Sequence, residues 1–165
     1  VGTFSKSLFP ALRLGYLLAP PALVDTFRIV MSKFLQGVPS HTQSVVAEFI
    51  DEGHFSAHLR RMRRIYAERC EVLCRAASRR LGGLLDVVES QSGLHTIGHL
   101  APGLGEVAIA EAALERNITV SPIGRYALTK LASRGLVLGF GGVVPKDIES
   151  GVDVLGEVLE AQVRR

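Results

Sequence analysis

Apolar and polar positions change rhythm several times along these 165 residues. An apolar run over 12–18, broken only by Arg13, predicts a short strand, and Pro20-Pro21 closes it because proline cannot donate to a ladder. Pro21 suits the first turn of a helix. Over 22–34, Leu23, Phe27, Val30 and Met31 recur at spacings of three and four, the period of one helix face. Gly37-Val38-Pro39-Ser40 interrupts that period, with Ser40 as the expected N-cap of a second helix over 41–51. Val45, Val46, Phe49 and Ile50 stripe this helix, and Gly53 is its expected stop. A long helix over 55–81 follows, seamed by Leu59, Met62, Tyr66, Leu73 and Ala77.

After Gly82-Gly83 the pattern shortens and alternates. Strands are expected over 84–88, 93–100 and 136–143, and over 118–121, ending at Pro122. Helices are expected over 105–116 and from Pro145 to about residue 163, the latter with Asp147 and Glu149 near its start. Gly124-Arg125-Tyr126 falls in a loop. Strand–helix alternation at this spacing predicts an α/β or α+β fold.

With 47% hydrophobic residues the chain can bury a substantial core, and a formal charge of +3 is too small to argue for nucleic acid by itself. No run of about 18 apolar residues predicts a membrane span, and no signal peptide is visible. Cys70 and Cys74 share a helix face, which suits neither a disulfide nor a C-x-x-C metal site. They are expected as reduced side chains of a cytoplasmic protein. His95 and His99 lie four apart on one strand, too far apart to form a metal pair, so no metal is expected.

The candidate chemistry is concentrated in residues 2–16. Lys6 and Arg13 stand between apolar runs, with the Thr3 and Ser5 hydroxyls beside them. Arg13 offers a planar fork to a phosphate, and Lys6 an amine nucleophile. The plainer alternatives are a solvated lysine at a strand end and a surface arginine. A P-loop fits less well, because Ser5 stands where that loop needs glycine.

Thr3-Phe4-Ser5-Lys6-Ser7-Leu8-Phe9-Pro10-Ala11-Leu12-Arg13-Leu14-Gly15 resembles the lysine segment of fold-type I pyridoxal-phosphate enzymes, S/T-x-S-K-x-x-x-P-x-x-R-x-G. It is most similar to the aminotransferase-like domain of MocR/GabR-type regulators of the GntR family, which read GTFSK-x-LFPALRLGY. The resemblance implies that Lys6 forms the Schiff base with pyridoxal 5'-phosphate, and that Arg13, Thr3 and Ser5 bind its phosphate. It extends over nearly the whole chain. Residues 1–53 would be the remnant of the large cofactor-binding domain, 54–81 a bridging helix, and 82–165 a small C-terminal domain with a sheet backed by helices. The chain is therefore expected to be a C-terminal fragment. The glycine-rich loop, the pyridine-pairing aspartate and the stacking aromatic of such proteins precede the lysine. Without that aspartate the cofactor is a poor electron sink.

Three further stretches resemble the same regulators: Ser92-Gly93-Leu94-His95, Val120 to Tyr126, and Leu136-Val137-Leu138-Gly139-Phe140. By this resemblance Arg125 is the candidate to hold a carboxylate of the substrate or effector, with Arg134 nearby as a substitute, and His95 has a supporting role. Ordinary aminotransferases carry an arginine in the last strand, in a motif like R-L-S-F, where this chain reads Val137-Leu138-Gly139-Phe140. That departure favours a regulator, which would sense a small amino compound, form a homodimer, and reach DNA only through a separate N-terminal domain. A genuine amino-acid aminotransferase is the alternative. A third reading, from the residues alone, is a non-enzymatic module that binds nucleic acid through the arginines of the long helix (60, 61, 63, 64, 69, 75, 79 and 80). Pairing of these arginines with Glu68, Glu71 and other acids is the plainer reading, and no interleaved aromatics support base stacking.

Overall fold

In the computed structural model, which describes residues 1–34, 39–129 and 131–164, the chain divides into two units, Val1–Met62 and Arg63–Arg165. Gly37 and Val38 of the expected break lie outside the described residues.

The first unit opens with two antiparallel strands, β1 (Gly2–Thr3) and β2 (Gly15–Tyr16), pairing Gly2 with Tyr16 and Thr3 with Gly15. A Cβ on Gly15 would lie 2.8 Å from the Gly2 carbonyl, so this approach requires glycine. The expected strand over 12–18 is corrected to these two residues. Pro10, with its fixed φ, starts a 3-10 turn, Pro10–Leu12, and Arg13 closes it in the left-handed region at φ 50°, its N–H donating to Pro10 O at 3.1 Å. An extended strand cannot run through that conformation.

Helix α1 (Pro21–Phe34) forms where its period predicts, but the expected face stays open, with Leu23, Phe27, Val30 and Met31 each at least 40% exposed. Helix α2 (Ser40–Asp51) buries Val46. Ser40 is its first helical residue rather than its cap. Pro39 holds the cap position, and Ser40 O accepts from the Ser44 hydroxyl at 3.1 Å. Helix α3 (His54–Arg80) begins in this unit and continues through the second.

The second unit holds a four-stranded antiparallel sheet in the order β3 (Leu85–Val87), β4 (His95–Leu100), β6 (Gly135–Gly139), β5 (Ser121–Pro122). Alternation sets its faces. Thr96 and Gly98 of β4, opposite Leu138 and Leu136 of β6, face the core, whereas His95 and Ile97 face outward. That core takes Leu73 and Ala77 from α3, Leu81 just beyond its end, and Ile109 and Ala113 from α4 (Glu106–Glu115). Val152, Leu155 and Leu159 join it from α5 (Pro145–Val163).

All four strands are shorter than the runs expected for them, and for β5 and β6 the backbone shows why. Asn117, at φ 62°, ends α4 in a Schellman closure, with Asn117 N–H on Leu114 O at 3.0 Å and Ile118 N–H on Ala113 O at 2.9 Å, so Ile118 cannot begin a strand. After Gly139 the chain turns, Phe140 and Gly141 both donating to Leu94 O. The expected loop at Gly124-Arg125-Tyr126 is part of a 3-10 turn, Ile123–Tyr126. Cys70 is buried and Cys74 half-buried, both free thiols. No helix of the described residues is long and apolar enough to cross a membrane.

Candidate functional site

Thr3 organises the turn that carries Lys6. Its Oγ1 accepts the Ser5 N–H at 3.1 Å and donates its own proton to Ser5 Oγ, also at 3.1 Å. The Ser5 hydroxyl proton is then left to point elsewhere. Phe4 N–H bonds Leu14 O at 3.0 Å and Leu8 N–H bonds Phe4 O at 2.8 Å, closing a tight turn over residues 4–8. The Phe4 ring packs against Tyr16 and Phe55, with centroids 5.6 and 5.8 Å away. His58 Nε2 lies 3.0 Å from Ser7 O and holds the far side of the turn. An anchored aromatic on one side and a histidine on the other leave the side chain of Lys6 exposed between them. Arg13 is also exposed, at the left-handed end of its 3-10 turn.

The donor set suits a phosphorylated aldehyde. One primary amine, two linked hydroxyls and one guanidinium lie within eleven residues. Residues 1–24 hold no carboxylate, and Asp25 lies 3.6 Å from Arg28. Among the described residues neither Lys6 nor Arg13 has an acidic partner. Two cations in one short segment with hydroxyl donors are a setting that favours an anion. By the chemistry of their donors these residues fit pyridoxal phosphate.

Thr3, Ser5, Lys6 and Arg13 all belong to the first unit, and Arg125 to the second. Arg125 sits exposed on the 3-10 turn Ile123–Tyr126. Arg134 donates one N–H to Leu104 O at 3.3 Å.

The arginines of α3 split into two groups. Toward its C-terminus they are engaged: Arg69 with Gly141 O, Arg75 with Glu71 at 3.4 Å, Arg79 with Glu149 at 3.5 Å, and Arg80 with Glu160. Arg60, Arg61, Arg63 and Arg64 are exposed and have no acidic partner among the described residues.

Sequence reasoning missed two groups. His58 lies on α3, and nothing in its neighbourhood signals contact with a turn 51 residues earlier. Glu106 reads from sequence as an ordinary acid at a helix start. Its carboxylate in fact accepts Gly124 N–H at 3.1 Å and Gly135 N–H at 2.9 Å. The two glycines were the available signal, since both stand where a backbone must come close.

The model of a family described as aminotransferase class I and II matches residues 1–136. The chain is 36% identical over 155 residues to the "probable rhizopine catabolism regulatory protein MocR" of Rhizobium meliloti, covering 94% of this chain and 31% of that one. It is 30% identical over 164 residues to a 2-aminoadipate transaminase of Thermus thermophilus, covering 97% of this chain and 40% of the relative. The crystal structure of LysN, the alpha-aminoadipate aminotransferase of Thermus thermophilus, was solved with N-(5'-phosphopyridoxyl)-L-leucine. It superposes with a TM-score of 0.86 at 27% identity, covering 98% of this chain and 41% of that one. The chain thus spans about a third of the length of its regulator relative. It shares the α/β fold expected from its sequence, that of the fold-type I transferases.

Proposed function

The chain belongs to the aminotransferase class I and II family, and from that premise we propose that it is a pyridoxal-phosphate-binding, effector-sensing part of a MocR-type transcriptional regulator. The observation that carries this reading is the Lys6 turn, in which an exposed amine follows directly on the bonded Thr3–Ser5 hydroxyl pair, with exposed Arg13 at the end of the next turn. Lys6 Nζ holds the cofactor's aldehyde carbon, and Arg13, Thr3 and Ser5 hold its phosphate. Arg125 takes the carboxylate of a small amino compound as a two-pronged donor. When bound, the cofactor supplies an electrophilic carbon that captures primary amines. The regulator reading is supported by the 36% identity to MocR and by Val137-Leu138-Gly139-Phe140, which lacks the arginine of ordinary aminotransferases. In this reading the whole protein is a cytoplasmic homodimer that meets DNA through another domain.

The test uses the protein at its natural length. It is mixed with pyridoxal phosphate, reduced with borohydride and digested. The reading expects a phosphopyridoxyl mass tag on the peptide containing Lys6, lost in Lys6→Ala. A tag on Lys33, Lys130 or Lys146 instead, or none, overturns it.

The 30% identity to a transaminase along almost the whole chain favours a second reading, a genuine amino-acid aminotransferase. Release of a keto acid from amino-acid substrates with multiple turnovers marks the enzyme. Ligand-dependent change in DNA binding without turnover marks the sensor.

A further inference from the structure

One carboxylate ties together both ends of the excursion that carries Arg125. Glu106 is the first residue of α4, where the helix dipole favours an acid. Its Oε1 accepts the N–H of Gly124, inside the 3-10 turn, and its Oε2 accepts the N–H of Gly135, the first residue of β6. Between these two points in the sequence, Leu128 is fully exposed. The turn is small: strand β5 before it is two residues long, and the four-residue 3-10 turn ends with Ala127 N–H on Gly124 O at 3.2 Å. A Cβ at position 124 would press on Glu106 Oε1, so a larger residue there makes the carboxylate shift. Arg134 adds a second tie at the same helix entry through Leu104 O at 3.3 Å.

We infer that Glu106 is a positioning residue for Arg125: its carboxylate fixes the turn so that the adjacent guanidinium is held in one place to receive a ligand carboxylate. The inference rests on the reading of Arg125 as the carboxylate ligand. A bidentate acceptor on two N–H groups holds the backbone on both sides of the excursion, and a charged acceptor makes each bond stronger than a neutral one. A pre-fixed arginine loses less freedom on binding than one on a loose turn. Glu106 touches no ligand in this scheme and acts only through the backbone of its neighbours.

The test compares wild type, Glu106→Gln and Arg125→Ala as cofactor-loaded protein of natural length. Each is titrated with L-leucine and with 3-methylbutylamine, its counterpart without the carboxylate, following the cofactor absorbance. Hydrogen exchange at the Gly124 and Gly135 amides is measured alongside, without ligand. Glutamine keeps the shape but turns an NH2 donor toward one of the two N–H groups. In Glu106→Gln the preference for L-leucine over the amine is expected to fall roughly tenfold, with the amine itself little changed, and both glycine amides are expected to exchange faster. Unchanged exchange at both amides overturns the inference whatever the ligand does. An unchanged preference in Glu106→Gln, with a preference lost in Arg125→Ala, overturns it while leaving the Arg125 reading intact. A preference that survives Arg125→Ala removes that reading and this inference together.

Discussion

Arg80 crosses α5 at Gly156, and its guanidinium closes on the carboxylate of Glu160 one turn further along. A Cβ at position 156 would stand 2.8 Å from Arg80 Cζ, so the glycine leaves the space in which the arginine lies. The hydrogen bond from Arg80 is the main reason that the Glu160 carboxyl is held below its usual range. The sign follows from linkage. A group with a lowered folded-state pKa contributes stability above its ordinary value, and that contribution is lost as pH falls through the lowered one. Glu160→Gln should therefore lower the urea midpoint at pH 7, with a gap from wild type that begins to narrow as the pH falls below about 4 and shrinks further as it passes through the lowered pKa. Equal gaps at pH 7 and pH 3 would show that the pair adds nothing through its charge.

Cys74 points the other way. Burial, with a further contribution from Cys70, pushes its thiol up to about 11. The thiolate is the nucleophile, so at pH 8 Cys74 should alkylate with iodoacetamide at least tenfold more slowly than a free cysteine peptide of ordinary pKa. Its neutral form is favoured on folding, so stability from this group is complete below the ordinary thiol pKa and declines as pH rises from there through about 11. Mass spectrometry of the peptide containing Cys70 and Cys74 after timed labelling reads the rate. Labelling at the pace of the free peptide would contradict the burial argument.

Helix period made α1 to α5 legible to within about a residue at each end, because 3.6-residue spacing is written into every turn. Short strands were less legible. The apolar runs over 12–18, 118–121 and 136–143 contain strand residues, but Arg13, Asn117 and the turn after Gly139 cut them down. Left-handed backbone at Arg13 leaves no clear mark in sequence, whereas Asn117 after a helical run was a stop signal that went unread. The Lys6 motif was legible as spacing. Its support by His58 and Phe55 was not, because both contacts span about fifty residues. Glu106 was hidden for a similar reason: its two partners are backbone N–H groups, which no side-chain pattern announces.

The core of the second unit gives a direct comparison. Ile109 is 0% exposed between α4 and the sheet, whereas Leu128 is entirely in solvent. Ile109→Ala should cost about 2–5 kcal/mol through lost burial and the cavity left behind. Leu128→Ala should stay within about 0.5 kcal/mol of wild type. Chemical denaturation of the two variants side by side decides the matter, and comparable losses would mean that residue 109 is not packed as described.

Arg13 combines two roles that substitution can separate. Its backbone sits at φ 50°, a region that costs a non-glycine residue roughly 1 kcal/mol or more, and its guanidinium is the proposed phosphate fork. Arg13→Gly relieves the backbone but frees the unfolded chain, so thermal stability should move by no more than about 1 kcal/mol. Arg13→Ala keeps the strained backbone and removes the same charge. If the guanidinium holds the phosphate, both variants should bind pyridoxal phosphate about tenfold or more weakly, in line with the loss of a charged hydrogen bond. Arg13→Lys, which keeps the charge without the fork, should fall between them and wild type. Cofactor titration by absorbance distinguishes the cases. If Arg13→Gly and Arg13→Ala both bind as wild type does, the guanidinium is not the phosphate fork, and the phosphate must be held by Thr3, Ser5 and groups outside this segment.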